Sequence, residues 1–195
     1  MVRVSQDGTK VYVNDPTDVI FQYNLTTPWD LSTGSYASKS FSLSSQGSDF
    51  QAFELSLDGT KLYALNTPVA GNWAIYQYTL STAWDISTAS YDSVTFSPAS
   101  NPAGRYAWHL DISNSGRSLV VTQYVSPAAI YQYTLSTPYD ISTATYTGNN
   151  IELSSYLTGT GVRLFAFSEF GFKFNAGSGD NNDSVIHQFD LDTHF

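Results

Sequence analysis

Short stretches of the chain alternate strictly between two sets of side chains, and this is the most regular pattern in the sequence. Over residues 75–80, IYQYTL, isoleucine, glutamine and threonine occupy one set of positions, while two tyrosines and a leucine occupy the other. A period of two is the spacing that a pleated β-strand imposes. The β-branched and aromatic content agrees with a strand. No stretch has a helical period, so the pattern predicts an all-β chain without helices.

This predicted strand belongs to a segment of seventeen residues that occurs four times, the last time in shortened form. The copies begin at Ile20, Ile75, Ile130 and Ile186, and their central glutamines are 55, 55 and 56 residues apart. A fixed interval of this length is typical of a repeat architecture. We therefore interpret residues 1–195 as a single domain of four repeats, at approximately 1–46, 47–102, 103–158 and 159–195.

Each repeat also carries two turn signals. Ser-x-Asp-Gly-Thr-Lys sequences at residues 5–10 and 56–61 predict β-hairpins in which glycine takes a positive φ, and Gly116 keeps this place in the third repeat. An aromatic-Asp pair follows each central strand. At Trp84-Asp85 we expect a wide turn in which the aspartate accepts hydrogen bonds from the next residues and the indole folds inward. Its counterparts are Trp29-Asp30 and Tyr139-Asp140.

Two further alternating strands complete each repeat. One enters the hairpin, at residues 50–55, 107–112 and 162–167, and the other follows the aromatic-Asp turn, at residues 35–42, 90–97 and 145–154. Four-stranded antiparallel units repeated in this way are the blades of a β-propeller. We predict an all-β β-propeller of four repeated four-stranded antiparallel blades of about 55 residues each, with the last blade lacking its outer strand. Either the four blades close alone, or self-association completes a larger propeller, or the chain is part of one.

Two features of the repeat resemble known proteins. The hairpins SQDGTKVY, residues 5–12, and SLDGTKLY, residues 56–63, resemble the Ser-Pro-Asp-Gly hairpins of YVTN and lactonase-type propellers. The whole repeat, with IYQYTLST, a Trp-Asp turn and Ser-Tyr, is similar to propeller repeats in predicted proteins of marine phages and marine metagenomes. This resemblance implies a non-catalytic recognition or structural module of a virion or another extracellular surface, with a glycan, a cell-surface ligand or a protein as its partner.

Charge and composition narrow the classes of partner. Seventeen acidic residues against eight basic ones give a net charge of −9, which repels nucleic acids and anionic membranes, so we expect neither as a partner. The absence of cysteine excludes disulfides, thiolate catalysis and cysteine-ligated zinc. No apolar run reaches the roughly 18 residues of a membrane span. We expect no cofactor, and no compartment is encoded in these residues.

Candidate site residues are those that differ between repeats, because residues shared by every repeat serve the common architecture. The differences concentrate on the strands that we expect to lie innermost. Alignment of the repeats places Arg3, Glu54 and Asp111 in one column and Gln51, Trp108 and Arg163 in another. The predicted ligand-binding mouth on the axis consists of Glu54, Arg105, Trp108, His109, Asp111 and Arg163. In the alternative, Arg3 pairs with the acidic residues and closes the channel, because buried charges are usually paired.

Three catalytic alternatives use the same positions. A lactonase-like metal site has Glu54 and Asp111 available but no inner-strand asparagine. A sialidase-like site requires an arginine triad, whereas Arg3, Arg105 and Arg163 fall in different columns. A Ser-His-Asp site with His109 and Asp111 lacks a nucleophile elbow. We therefore predict no catalytic residues and no metal ligands, with a propeller hydrolase as the alternative function.

Overall fold

The structure of the protein is a computed structural model that describes residues 1–68, 73–97, 107–123 and 128–153 in full, and three further strands by their backbone alone. Within these residues it contains fifteen strands in four antiparallel sheets, one for each predicted repeat. The chain divides into two compact units, residues 1–97 and 98–195, each with two of the sheets. The predicted all-β class and the repeated antiparallel blades are confirmed.

The first unit contains two four-stranded sheets, in which neighbours in the chain are neighbours in the sheet. The first sheet consists of β1 (Val2–Val4), β2 (Lys10–Asn14), β3 (Val19–Leu25) and β4 (Gly34–Ser42). The second consists of β5 (Phe50–Leu55), β6 (Lys61–Asn66), β7 (Ala74–Leu80) and β8 (Ala89–Phe96).

The second unit continues the same order. Its four-stranded sheet consists of β9 (Ala107–Ile112), β10 (Ser118–Gln123), β11 (Ala129–Leu135) and β12 (Ala144–Glu152). The fourth sheet has three described strands, β13 (Val162–Phe167), β14 (Lys173–Ser178) and β15 (Ile186–Asp190).

The repeated glutamines occupy the same place in all four sheets. Each lies on the third strand, opposite the third residue of the second strand. The pairs are Gln22 with Tyr12, Gln77 with Tyr63, Gln132 with Val120 and Gln188 with Asn175. The interval found in the sequence is therefore a structural repeat in register.

The aromatic-Asp turn contains a short helix that the strand periodicity did not predict. Three 3-10 helices are described, η1 (Leu31–Thr33), η2 (Ile86–Thr88) and η3 (Ile141–Thr143). In η2 the Asp85 carboxylate accepts hydrogen bonds from the Ser87 amide at 3.2 Å and from its hydroxyl at 2.6 Å. The prediction of no helix was wrong because a capping aspartate closes the chain into a single helical turn without any apolar period.

The turn's aromatic ring packs directly on the hairpin glycine of the same repeat. Trp84 donates its backbone N–H to the Gly59 carbonyl at 2.9 Å. A Cβ atom on Gly59 would lie 2.2 Å from Cδ2 of the indole. Gly8 with Trp29 and Gly116 with Tyr139 have the same arrangement. The hairpin and the aromatic-Asp turn of a repeat, which the sequence shows as two separate signals, therefore pack together as one unit.

The hairpin connection is longer than a two-residue turn. It spans the five residues between Val4 and Lys10 in the first repeat, and Gly8 has a φ of 69°. Asp7 Oδ1 accepts hydrogen bonds from the Ser5 hydroxyl at 2.6 Å, and from the Thr9 amide at 3.0 Å and hydroxyl at 2.8 Å. These donors lower the pKa of Asp7 to about 2. The repeated Ser-x-Asp-Gly-Thr sequence thus closes the connection with its own side chains.

The core of the first unit lies between its two sheets. Ile86 of η2 is buried and donates its backbone N–H to the side-chain oxygen of Gln22 at 3.0 Å. The Tyr12 hydroxyl donates to the Trp84 carbonyl at 2.7 Å. The aromatic-Asp turn of the second sheet therefore docks on the first sheet. The buried cluster consists of Tyr12, Ile20, Leu43, Phe50, Phe53, Leu55, Leu62, Ala64, Tyr78, Leu80 and Ile86.

Candidate functional site

A β-bulge marks the variable column of the first strand in three sheets. The pairing register shifts between Phe50 and Ala52 in β5, between Ala107 and His109 in β9, and between Val162 and Leu164 in β13. Bulges next to binding sites re-aim side chains away from the regular ladder. The bulged residues are Gln51, Trp108 and Arg163, which form one of the two variable columns found in the sequence.

Arg3 and Glu54 form an ion pair between the first strands of the first two sheets. Arg3 Nε lies 2.5 Å from Glu54 Oε2, and the two side chains are only 21% and 16% exposed. The other carboxylate oxygen of Glu54 accepts the Leu55 amide at 3.0 Å. Burial raises the pKa of Glu54, and the Arg3 guanidinium opposes that rise. This pairing is the one that the closed-channel alternative requires.

Three of the predicted mouth residues lie on β9 of the second unit. Trp108, His109 and Asp111 are half-buried. His109 pairs opposite Thr122 and Asp111 opposite Val120, so the two titratable side chains share one face of the sheet because they are two residues apart. Trp108 occupies the bulge between the Ala107 and His109 pairs.

The remaining two predictions concern residues whose side chains are not described. Arg105 lies outside the described residues. Arg163 belongs to β13, and its place in the bulge follows from the backbone register. The structure therefore groups Trp108, His109 and Asp111 on one strand of the second unit, and within the first unit it pairs Glu54 with Arg3.

The sequence predicted a structural role for the residues that recur in each repeat. It did not predict that those of the first sheet contact the aromatic-Asp turn of the second sheet. Lys39 Nζ lies 2.5 Å from Asp85 Oδ2, so the first sheet supplies a tyrosine, a glutamine and a lysine to a single turn of the second. A signal for this contact was present in the sequence, because every repeat has a glutamine at the position of Gln22. Strand periodicity places Gln22 on a face of its own sheet, whereas its partner Ile86 is 64 residues away.

Within the described part of the chain, no three His, Asp or Glu side chains lie together in a way that would hold a metal ion. None of the described helices has the length and hydropathy needed to cross a bilayer.

Solved structures are similar to the chain over nearly its whole length. A candidate 6-phosphogluconolactonase from Bacteroides uniformis has 16% identity and a TM-score of 0.60, over 95% of this chain and 48% of that one. A second, from Bacteroides fragilis, has 18% identity and a TM-score of 0.61, over 98% and 50%. TolB from Acinetobacter baumannii has 18% identity and a TM-score of 0.55, over 100% and 41%.

These comparisons establish the class of fold. Together with the repeated antiparallel sheets, they define a protein with a β-propeller fold. The chain spans about half the length of the two candidate lactonases. No protein-family model matches the sequence, and no curated protein sequence matches it. At these identities the likeness concerns the fold alone.

Proposed function

We propose that the protein is a non-catalytic recognition module that binds a glycan on a cell surface. The observation that carries the proposal is the coincidence of the variable column with the bulged positions, Gln51, Trp108 and Arg163. The contact between the hairpin glycine and the aromatic ring of the turn recurs in the first three repeats, whereas these three positions vary. A recurring scaffold with variable residues at β-bulges is the arrangement of a recognition surface.

The chemistry of the bulged residues suits a carbohydrate. An indole offers a flat apolar face and an N–H donor, a primary amide offers both donors and an acceptor, and a guanidinium offers a fork of donors. Trp108 is half-buried, which leaves part of its surface for a ligand. We further propose, from the resemblance of the repeat to phage-type propellers, that this module belongs to a virion or another surface assembly.

The contacts of Glu54 support a scaffold role for this residue rather than a catalytic one. One carboxylate oxygen pairs with Arg3 and the other accepts a backbone N–H. A carboxylate held on both oxygens by its own protein is poorly placed to act as an acid, a base or a ligand. We therefore assign Glu54 to the scaffold.

A glycan array followed by affinity measurements on variants tests this function. The wild-type protein is expected to bind a defined group of glycans. Trp108→Ala and Arg163→Ala are expected to raise the Kd at least about tenfold. Trp108→Phe keeps an aromatic face and serves as the conservative control, with a smaller loss. No bound glycan on the array, or unchanged affinity in both alanine variants, would remove the proposal.

A hydrolase is the second candidate, and the shared face of His109 and Asp111 on β9 favours it. In this proposal the pair acts on a lactone or a glycoside. The test is turnover of simple lactones and aryl glycosides by wild type, His109→Gln and Asp111→Asn. Turnover that falls at least about a hundredfold in both variants would establish the hydrolase. Glycan binding without turnover would establish the recognition module.

A further inference from the structure

One face of the first sheet carries apolar side chains that are exposed to solvent. Val2 is 54% exposed, Tyr36 49%, Trp29 63% and Leu31 69%. Tyr23 packs against Tyr36 with ring centroids 5.6 Å apart, and Phe21 packs against the same ring at 6.0 Å. We call this surface the first-sheet face, and it consists of Val2, Phe21, Tyr23, Trp29, Leu31 and Tyr36.

Three of the equivalent positions in the second sheet are buried against the first sheet, and the other three, Tyr76, Trp84 and Tyr91, are partly buried against the same cluster. Phe53 takes the place of Val2, Tyr78 that of Tyr23 and Ile86 that of Leu31. All three are fully buried and belong to the cluster between the two sheets of the first unit. The Tyr78 ring meets Phe41 of the first sheet at 5.3 Å. The first-sheet face is therefore similar in composition to the surface of the second sheet that packs against the first sheet.

The local geometry of that interface is already present at the exposed turn. Asp30 caps η1 as Asp85 caps η2, and Trp29 and Trp84 have φ values of 65° and 64°. In η2 this conformation presents the Trp84 carbonyl to Tyr12 and the Ile86 amide to Gln22. The turn at Trp29 therefore already has the conformation that would dock on another sheet, provided that this other sheet has a glutamine at the centre of its third strand.

The fourth sheet keeps this central glutamine. Gln188 pairs opposite Asn175 in the same register as Gln22 with Tyr12. The candidate 6-phosphogluconolactonases are about twice as long as this chain, which covers 48% and 50% of them. Two copies of the chain together therefore match the length of one such protein.

We propose that the first-sheet face docks on the fourth sheet of a second copy of this chain, using the contacts that the second sheet makes with the first. Leu31 then takes the place of Ile86, and Gln188 of the partner takes the place of Gln22. If each copy offers its first sheet to the other's fourth sheet, the head-to-tail contact closes after two copies. The inference rests on the interface between the first two sheets and is independent of the glycan proposal.

Solution mass as a function of concentration gives the first test. Sedimentation equilibrium of the wild type is expected to show a dimer. Leu31→Asp is expected to raise the dimer Kd at least about thirtyfold, because it puts a charge in the centre of the contact. Leu57→Asp is the matched control, since Leu57 is an exposed leucine of the second repeat's hairpin. A wild type that is monomeric throughout, or equal effects of the two substitutions, would overturn the proposal.

Cysteine crosslinking gives the second test, and the cysteine-free chain suits it. Leu31→Cys and Gln188→Cys variants are made separately, mixed and oxidised. The proposal expects a crosslinked dimer from the mixture and little from either variant alone. Crosslinking of Leu31→Cys with itself would show that two first-sheet faces meet each other. A double variant, Leu31→Cys/Gln188→Cys, is oxidised as well. An intramolecular disulfide in this variant, without any dimer, would show that the face is covered within one chain. Either result would overturn the proposal.

Discussion

At the level of single residues, the hairpin glycine and the aromatic residue of the following turn depend on each other. Gly59 has a φ of 70°, a conformation that costs a side chain about 1–2 kcal/mol. The indole of Trp84 also occupies the space of the missing Cβ. Glycine is required at this position for both its backbone and its lack of bulk, and the same holds for Gly8 and Gly116.

Substitution of Gly59 by alanine is expected to lower the free energy of unfolding by about 2–4 kcal/mol, because the ring must move in addition to the backbone strain. Gly148→Ala is the matched control. Gly148 has a φ of 83°, but nothing lies within 4 Å of its Cβ position, so only the strain of about 1 kcal/mol is expected. Urea unfolding monitored by circular dichroism measures both. Equal losses would show that the ring contact contributes nothing.

At the level of elements, the two sheets of the first unit are joined by one turn of the second sheet that inserts into the first. The Ile86 amide is buried, and its hydrogen-bond acceptor is the side chain of Gln22, itself 1% exposed. A buried N–H without an acceptor is costly, whereas an exposed ion pair contributes little. We therefore expect Gln22, rather than the more exposed Lys39, to determine the strength of this contact.

The substitution Gln22→Leu is expected to cost about 1–3 kcal/mol, because it leaves the Ile86 amide unsatisfied in the core. Lys39→Ala removes the ion pair to Asp85 at the edge of the same contact and is expected to cost less than about 1 kcal/mol. Urea unfolding of both variants makes the comparison. A larger loss for Lys39→Ala than for Gln22→Leu would contradict this account of the turn.

The Arg3–Glu54 pair joins β1 to β5 and allows a further test at this level. Arg3→Met is expected to destabilise the protein by about 2–4 kcal/mol, because it leaves a buried carboxylate without its counter-charge. The double variant Arg3→Met/Glu54→Leu is expected to recover most of that loss. The deficit of the single variant is also expected to shrink as the pH falls, since protonation of Glu54, whose pKa burial raises, removes its charge. A double variant as unstable as the single one would show that the loss is not electrostatic.

At the level of the whole molecule, several aspartates of this acidic chain accept hydrogen bonds from nearby hydroxyl groups, which stabilise the ionised carboxylates. Hydrogen bonds from Ser5, Thr17 and Ser32 lower the pKa of Asp7, Asp15 and Asp30 respectively. A carboxyl with a lowered folded-state pKa stabilises the fold above its unfolded pKa, and that contribution disappears as the pH falls through the folded value. The protein is therefore expected to lose stability on acidification below pH 4, down to about pH 2 for Asp7.

The stability of wild type and Asp7→Asn at pH 6 and at pH 2 measures this contribution. At pH 6 the variant is expected to be less stable by about 0.5–1 kcal/mol, a figure kept small because Asp7 is exposed and screened. At pH 2 the difference is expected to shrink, since this pH lies at the folded-state pKa of Asp7 and about half of the wild-type carboxyl is then protonated. A difference that stays constant with pH would show that the ionised form of Asp7 contributes nothing.

Much of the fold was predictable because its signals act within one repeat. Residues 50–55, 107–112 and 162–167 were predicted as strands with the bounds that the structure gives. The hydrogen bonds of Asp85 to the next residues were predicted from their spacing. The site was less predictable. The column of Gln51, Trp108 and Arg163 was found as a difference between repeats, but the bulge at each of these residues depends on the pairing of its strand with a second strand.

Trp29 and Trp84 show which features the sequence determines and which depend on the tertiary structure. The sequence by itself determined that both tryptophans follow a central strand and precede a capping aspartate, because these are local rules of spacing and hydrogen bonding. We predicted that Trp84 folds inward, and it packs against the core cluster, whereas Trp29 in the same local conformation is exposed. Only the tertiary structure decided this difference, because burial requires a second surface and only Trp84 has another sheet of its own unit packed against its turn.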